Sequence, residues 1–207
     1  ESTEIYIVVR AQSEEAALAE GGRLTLKESR LQGAEGSKSD AVIVRGLGSQ
    51  ADLSDIRIGG FGGHGLLAVD DAVVKVSGSI DGANKGAIHL ENLEVEEARL
   101  ENLHITGGGP AIRVIASRVA LKDILIEKAD SGVMSGEGSR LTAERTEVRQ
   151  VKRWAFAAFG SGQLDLTACR SSRLARRAHA AFASCGTGAR ISIDEASKLQ
   201  GSVVRCP

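Results

Sequence analysis

Seven cationic side chains and the only tryptophan of the chain fall in two short stretches. One reads Arg149-Gln150-Val151-Lys152-Arg153-Trp154, the other Arg170-Ser171-Ser172-Arg173-Leu174-Ala175-Arg176-Arg177-Ala178-His179. Arginine forks match carboxylate and phosphate oxygens two at a time, and an aromatic face beside them attracts a cation or a ring. Holding so many like charges together costs self-repulsion that an anionic partner relieves. The candidate binding residues are therefore Arg149, Lys152, Arg153, Trp154, Arg170, Arg173, Arg176, Arg177 and His179, directed at an acidic glycan or a protein partner. The plainer account of the same residues is a solvated charged edge with Trp154 turned inward.

Elsewhere the chemistry-bearing residues are scattered. Asp52, Asp55, Asp81, Glu91 and Glu101 supply carboxylates, but no consecutive set recurs with a basic residue beside it, as calcium-assisted proton abstraction would require. His64, His89, His104 and His179 show no shared spacing, and zinc-like Cys or His patterns are missing. No catalytic residue, metal site or cofactor is expected.

The elements that must position these residues follow from a repeat. The pattern apolar-x-apolar-x-polar-x-x-apolar runs through Leu24 to Leu31, Ala51 to Ile58, Ala98 to Ile105, Val119 to Ile126 and Leu141 to Val148. A weaker copy spans Val73 to Ile80, and degenerate ones begin at Leu164 and Ile191. Its last positions are Leu31, Ile58, Ile80, Ile105, Ile126, Val148, Ser171 and Lys198. A second apolar motif falls between successive copies, anchored at Val42, Leu66, Ile88, Ile112, Val133, Phe156, Phe182 and Val203. Two motifs sharing one period near 22 residues predict short strands, two or three to a turn, with alternate side chains facing inward. Gly59-Gly60, Gly62-Gly63 and Gly107-Gly108-Gly109 break the chain too often for a helical solenoid.

Runs such as GGGPAIRVIASRVALKDILIEKADSGVMSG resemble the repeats of the right-handed parallel β-helix, or pectin-lyase-like, superfamily across residues 23–207. That resemblance implies an all-β fold, a right-handed solenoid of about eight coils, and is nearly silent on activity. Polygalacturonases share the fold, and Gly63-His64-Gly65 with Asp70-Asp71 looks like two of their signatures. Here the order is reversed, both pairs sit in one coil, and the further Asn-x-Asp and Arg-x-Lys partners are not found. The expectation for His64 is a solvent-facing turn histidine.

Several further expectations follow. Leu26, Leu53, Leu100, Leu121 and Leu166 should form one inward column. Asp55, Asn102 and Asp123 share a repeat position just before a bend, where side chains commonly satisfy turn backbone. Residues 1–22 should hold a strand and a helical cap, with Ser13 as N-cap of a helix to Glu20, and residues 23–207 the solenoid, as a single domain overall. Cys185 and Cys206, each three residues past an anchor, should be vertical neighbours, either disulfide-bonded or two stacked thiols. Ile43, Leu67, Met134, Ala157, Ala183 and Val204 form an apolar outward row that could dock another chain.

Composition bounds the rest. The 207 residues are 42% hydrophobic and only 3% aromatic, so the core must be aliphatic. The net charge of −1 conceals a division: residues 1–103 carry 18 acidic and 10 basic groups, residues 104–207 carry 9 and 16. That balance argues against nucleic acid as partner, and no apolar run is long enough to span a membrane. A chain beginning at Glu1 leads us to expect a piece of a longer protein, with more chain or a partner over the C-terminal end. Together these predict a non-catalytic binding or structural module of an exported or surface-associated bacterial protein, extracytoplasmic in location. The alternatives are a polyuronide lyase or hydrolase on the same fold, and an assembly module docking through the apolar outer row.

Overall fold

The computed structural model describes residues 8–11, 17–34, 37–172, 180–201 and 203–206. They form an all-β parallel solenoid of about seven turns, with no helix among the described residues. The two repeat motifs become two sheets, of thirteen and nine strands, whose paired strands all run parallel. The turns number about seven, where the repeat spacing predicts eight.

Inward columns follow the repeat. In the thirteen-stranded sheet Leu26 opposes Leu53, then Val76, Leu100, Leu121, Ala143 and Leu166 in unbroken register. In the nine-stranded sheet the column is Val42, Leu66, Ile88, Ile112, Val133 and Phe156. All but Leu26 of these thirteen residues are buried, and they meet in one aliphatic core. The last first-motif copy is displaced by one residue: Ser171 pairs with Leu199, not Lys198, so that the apolar side chain keeps the column.

Corners fix where each strand turns. Glu28, Asp55, Asn102, Asp123, Arg145 and Ala168 share one corner position and all adopt positive φ, between 49° and 55°. Asp and Asn tolerate this conformation better than most residues, which explains their presence before a bend. The corresponding corner in strand Val73–Asp81 is one residue shorter. Gly78 sits there at φ 121°, where a Cβ would lie 2.1 Å from the Ile56 carbonyl oxygen, and the register shifts on both sides.

The N-terminal expectation is corrected. Ala17–Glu20 is a strand, pairing parallel with Val42–Arg45, and the remainder of the expected helix lies outside the described residues. Pairing with an available sheet edge, with Ala19 inward and Glu20 bonded to Arg45 at 3.0 Å, overrides the local helical pattern.

Candidate functional site

Of the nine residues predicted to bind, Arg173, Arg176, Arg177 and His179 lie outside the described residues. The other five are divided between two faces. Arg149 and Arg170 stand on the outward side of the thirteen-stranded sheet, in strands Glu147–Arg149 and Arg170–Ser172, where Arg170 opposes Glu147. Lys152 and Arg153 are exposed in the connection that follows. Trp154 opens strand Trp154–Phe159 of the nine-stranded sheet.

Two of the four described cations at this edge are engaged within the molecule. Arg149 Nε bonds Glu127 Oε1 at 2.6 Å, with Glu147 at 3.8 Å, and His104 Nε2 lies 2.9 Å from the other Glu127 oxygen. The Arg149 hydrogen bond, helped by His104, holds the Glu127 carboxyl below its ordinary value. Arg153 Nε reaches Asp130 Oδ2 at 3.1 Å. Among the expected cations that the structure describes, Arg149 and Arg153 thus belong to intramolecular pairs.

A different site lies on the outward face of the nine-stranded sheet. Parallel register stacks Leu18, Ile43, Leu67, His89, Arg113, Met134, Ala157, Ala183 and Val204 in one outward row. Where the row reaches Arg113 and Met134, a groove of about 500 Å3 opens, lined also by Ile115, Glu137, Trp154 and Phe159. Trp154 and Phe159 hold each other edge to face, with centroids 5.4 Å apart and planes at 67°. Trp154 and Phe159 are the first and last residues of one strand and both line the groove, while Phe156 between them is buried in the core. Arg113 is exposed on the row and forms no ion pair among the described residues.

One and two coils away on the same face, the sequence expectation about histidines is corrected. His64 and His89 converge, their rings 5.3 Å apart. Each is held by a carboxylate: His64 Nδ1 lies 3.0 Å from Asp40, which also accepts the His64 backbone N–H, and His89 Nε2 lies 3.0 Å from Glu91. Burial works to raise the Asp40 carboxyl, but the His64 hydrogen bonds outweigh it and leave the group below its ordinary value. Burial pushes the His89 imidazole down; its bond to Glu91 opposes this, and the positive charge of His64 and Arg113 adds to burial. His64 is half-buried and bonded, not a solvent-facing turn residue. Among the described residues there is no group of three or more metal-ligating side chains and no helix long and apolar enough to cross a membrane.

The corner carboxylates have partners too. Arg145 clasps Asp123 of the preceding coil with two bonds, at 2.6 and 2.7 Å, and the hydrogen bonds from Arg145 hold that carboxyl below its ordinary value. Cys185 is disulfide-bonded and pairs in strand register with Cys206, as the spacing predicted. Cys169 is a free buried thiol, pushed up by burial.

No family model matches the chain. No curated protein and no solved structure matches it either. Its site must therefore be judged on its own geometry. Sequence reasoning picked out Trp154 and Met134 but missed Arg113, Ile115, Glu137 and Phe159. The signal was in the second motif: Arg113 falls at the same repeat position as Met134, and was passed over because it interrupts an apolar row.

Proposed function

We propose that the chain is a non-catalytic binding module that presents the outward face of its nine-stranded sheet to an acidic glycan. The observation that carries this is an aromatic-walled groove lined by Arg113, which forms no ion pair among the described residues, on a face otherwise rich in apolar side chains. Rings stack on the apolar face of a sugar, and a guanidinium takes a carboxylate in two bonds. A rigid solenoid suits the task, since successive coils offer an extended polymer equivalent positions along one line. Parallel crossovers are right-handed in nearly all proteins, which supports a right-handed, pectin-lyase-like solenoid. The disulfide at Cys185 supports an exported or surface-associated setting, where such bonds persist.

The test is a screen of acidic and neutral glycans, polyphosphate and protein partners, with and without calcium. Trp154→Ala should weaken the best ligand by about ten-fold or more. The pair Arg149→Ala and Arg153→Ala should change it little, because those cations are already engaged. Binding that survives Trp154→Ala but is lost in the paired arginine variant would move the site back to the basic edge.

A second reading, a polyuronide-active enzyme, is favoured by the His64 and His89 contact. An imidazole held neutral by burial beside a second, carboxylate-bound imidazole is equipped to move a proton. Release of unsaturated uronide, absent in a His89→Gln variant, would establish it in place of the binding module.

A further inference from the structure

The lining of the groove restricts what can enter it. Ile115, Met134, Phe159 and Trp154 offer a largely apolar wall with one thioether and one indole N–H, and the charged side chains are Arg113 and Glu137. The hydroxyls of a sugar stacked on this wall would stay toward water, because inside the groove they find few partners and each group left unsatisfied carries a cost. An apolar body avoids that cost, and the thioether of Met134 adapts to its outline. Arg113 imposes the complementary demand. Its guanidinium stands beside an apolar wall that excludes water from one side, where a charge-assisted bond is stronger than in bulk solvent. On its other flank the row continues to His89, which burial and neighbouring positive charge keep neutral and which Glu91 already engages. No described carboxylate closes the Arg113 fork. Glu137, exposed on the lining, disfavours a second anionic group on the same ligand.

We propose that the groove takes an apolar or aromatic body bearing a single carboxylate, with the carboxylate seated on Arg113 and the body against Met134, Ile115 and the Trp154–Phe159 pair. The volume of about 500 Å3 falls in the range of small-molecule sites and exceeds what a carboxylate alone would fill. This deepens the binding-module reading and rests on it for the choice of face. It adds that the group recognised in the groove is an amphipathic acid, whether free or carried on a polymer.

Because Trp154 is the only tryptophan, its fluorescence reports on the groove directly. The probes are 3-phenylpropionate, the neutral isostere 3-phenylpropanol and propionate, titrated into the whole chain at pH 7. The acid should bind about ten-fold more tightly than the alcohol, and propionate should not saturate. In Arg113→Gln the acid and alcohol should bind alike, with Arg113→Lys in between and the circular dichroism of all three proteins unchanged. Equal binding of acid and alcohol to the wild type overturns the proposal, as does the absence of a saturable response. If glycan binding still depends on Trp154 while the acids give no response, the binding face stands and the amphipathic acid falls. If the acids bind as expected while glycans are indifferent to Trp154, the site stands and the macromolecular reading falls.

Discussion

On the thirteen-stranded sheet the outward face is strongly charged, with opposite signs side by side where Asp52 lies beside Lys75 and Lys122 between Glu101 and Glu144, and like signs where Arg99 lies beside Lys75 and Arg118 beside Arg140. On the nine-stranded sheet the equivalent row holds Ile43 and Leu67, then His89 and Arg113, then Met134 and a fully buried Ala157. The first arrangement is how a solenoid covers itself in water: a mixture of both signs keeps the surface soluble, and each exposed pair contributes little stability. The second leaves apolar surface at the outside and a cation without a partner, neither of which helps an isolated coil stack. A concentration of basic residues does not reveal which charges are already met, as Arg149 and Arg153 are. The groove combines paired aromatic rings with an arginine, Arg113, that forms no ion pair among the described residues.

The contrast can be broken most severely from beneath. Val133 and Met134 are sequence neighbours facing opposite ways, one buried in the core and the other lining the groove. Val133→Asp buries an unpaired carboxylate and should cost several kcal/mol, whereas Met134→Asp should cost about 1 kcal/mol or less in urea unfolding while abolishing ligand binding. Equal costs would mean that the face has been assigned the wrong way round.

A smaller effect separates the faces by pH. His89 has a folded pKa below its ordinary 6.5, so between the folded value and 6.5 the unfolded chain binds a proton that the native chain does not. Its contribution to stability is complete above 6.5 and declines as pH falls below it. The melting temperature should drop between pH 7.5 and 5.5, and His89→Gln should flatten that part of the profile. Asp40, also depressed, contributes above 3.8 and loses its contribution only as pH falls through its lower folded value. An unchanged profile in His89→Gln would remove the nine-stranded face from the acid response.

The smallest change belongs to the charged face. Arg145→Ala removes both bonds to Asp123, yet the pair is exposed and screened. The melting temperature should stay close to wild type at moderate salt and separate from it only at low salt. A large loss at both salt levels would show that the corner depends on the pair and not on its backbone geometry.

Much of this architecture was legible in the sequence because it repeats. Period-two alternation gave the inward leucine column, and the repeat spacing placed the second-motif anchors and the Cys185 strand correctly. The site was less legible for two reasons. Alternation assigns a side chain to a face but does not tell which neighbours one and two coils away close a groove. Pairing across coils decides whether a cation is available, although this was partly readable: Glu127 and Arg149 each follow a first-motif end, Ile126 and Val148, and so stack. The helix expected to end at Glu20 failed because local propensity says nothing about a sheet edge waiting for a strand.

The short corner at Gly78 has a bearing on how such a molecule grows. Strands Gln50–Gly59 and Ala98–Thr106 both turn with the longer, left-handed corner, at Asp55 and Asn102, while the strand between them does not. Excising the intervening coil would bring Leu53 against Leu100 and Ile58 against Ile105, like against like, with both corners matched. A barrel could not lose such a unit, since closure fixes its strand number. A solenoid has no closure condition, so whole coils can be gained or lost without disturbing the columns, and the coil with the odd corner has the form of an inserted unit.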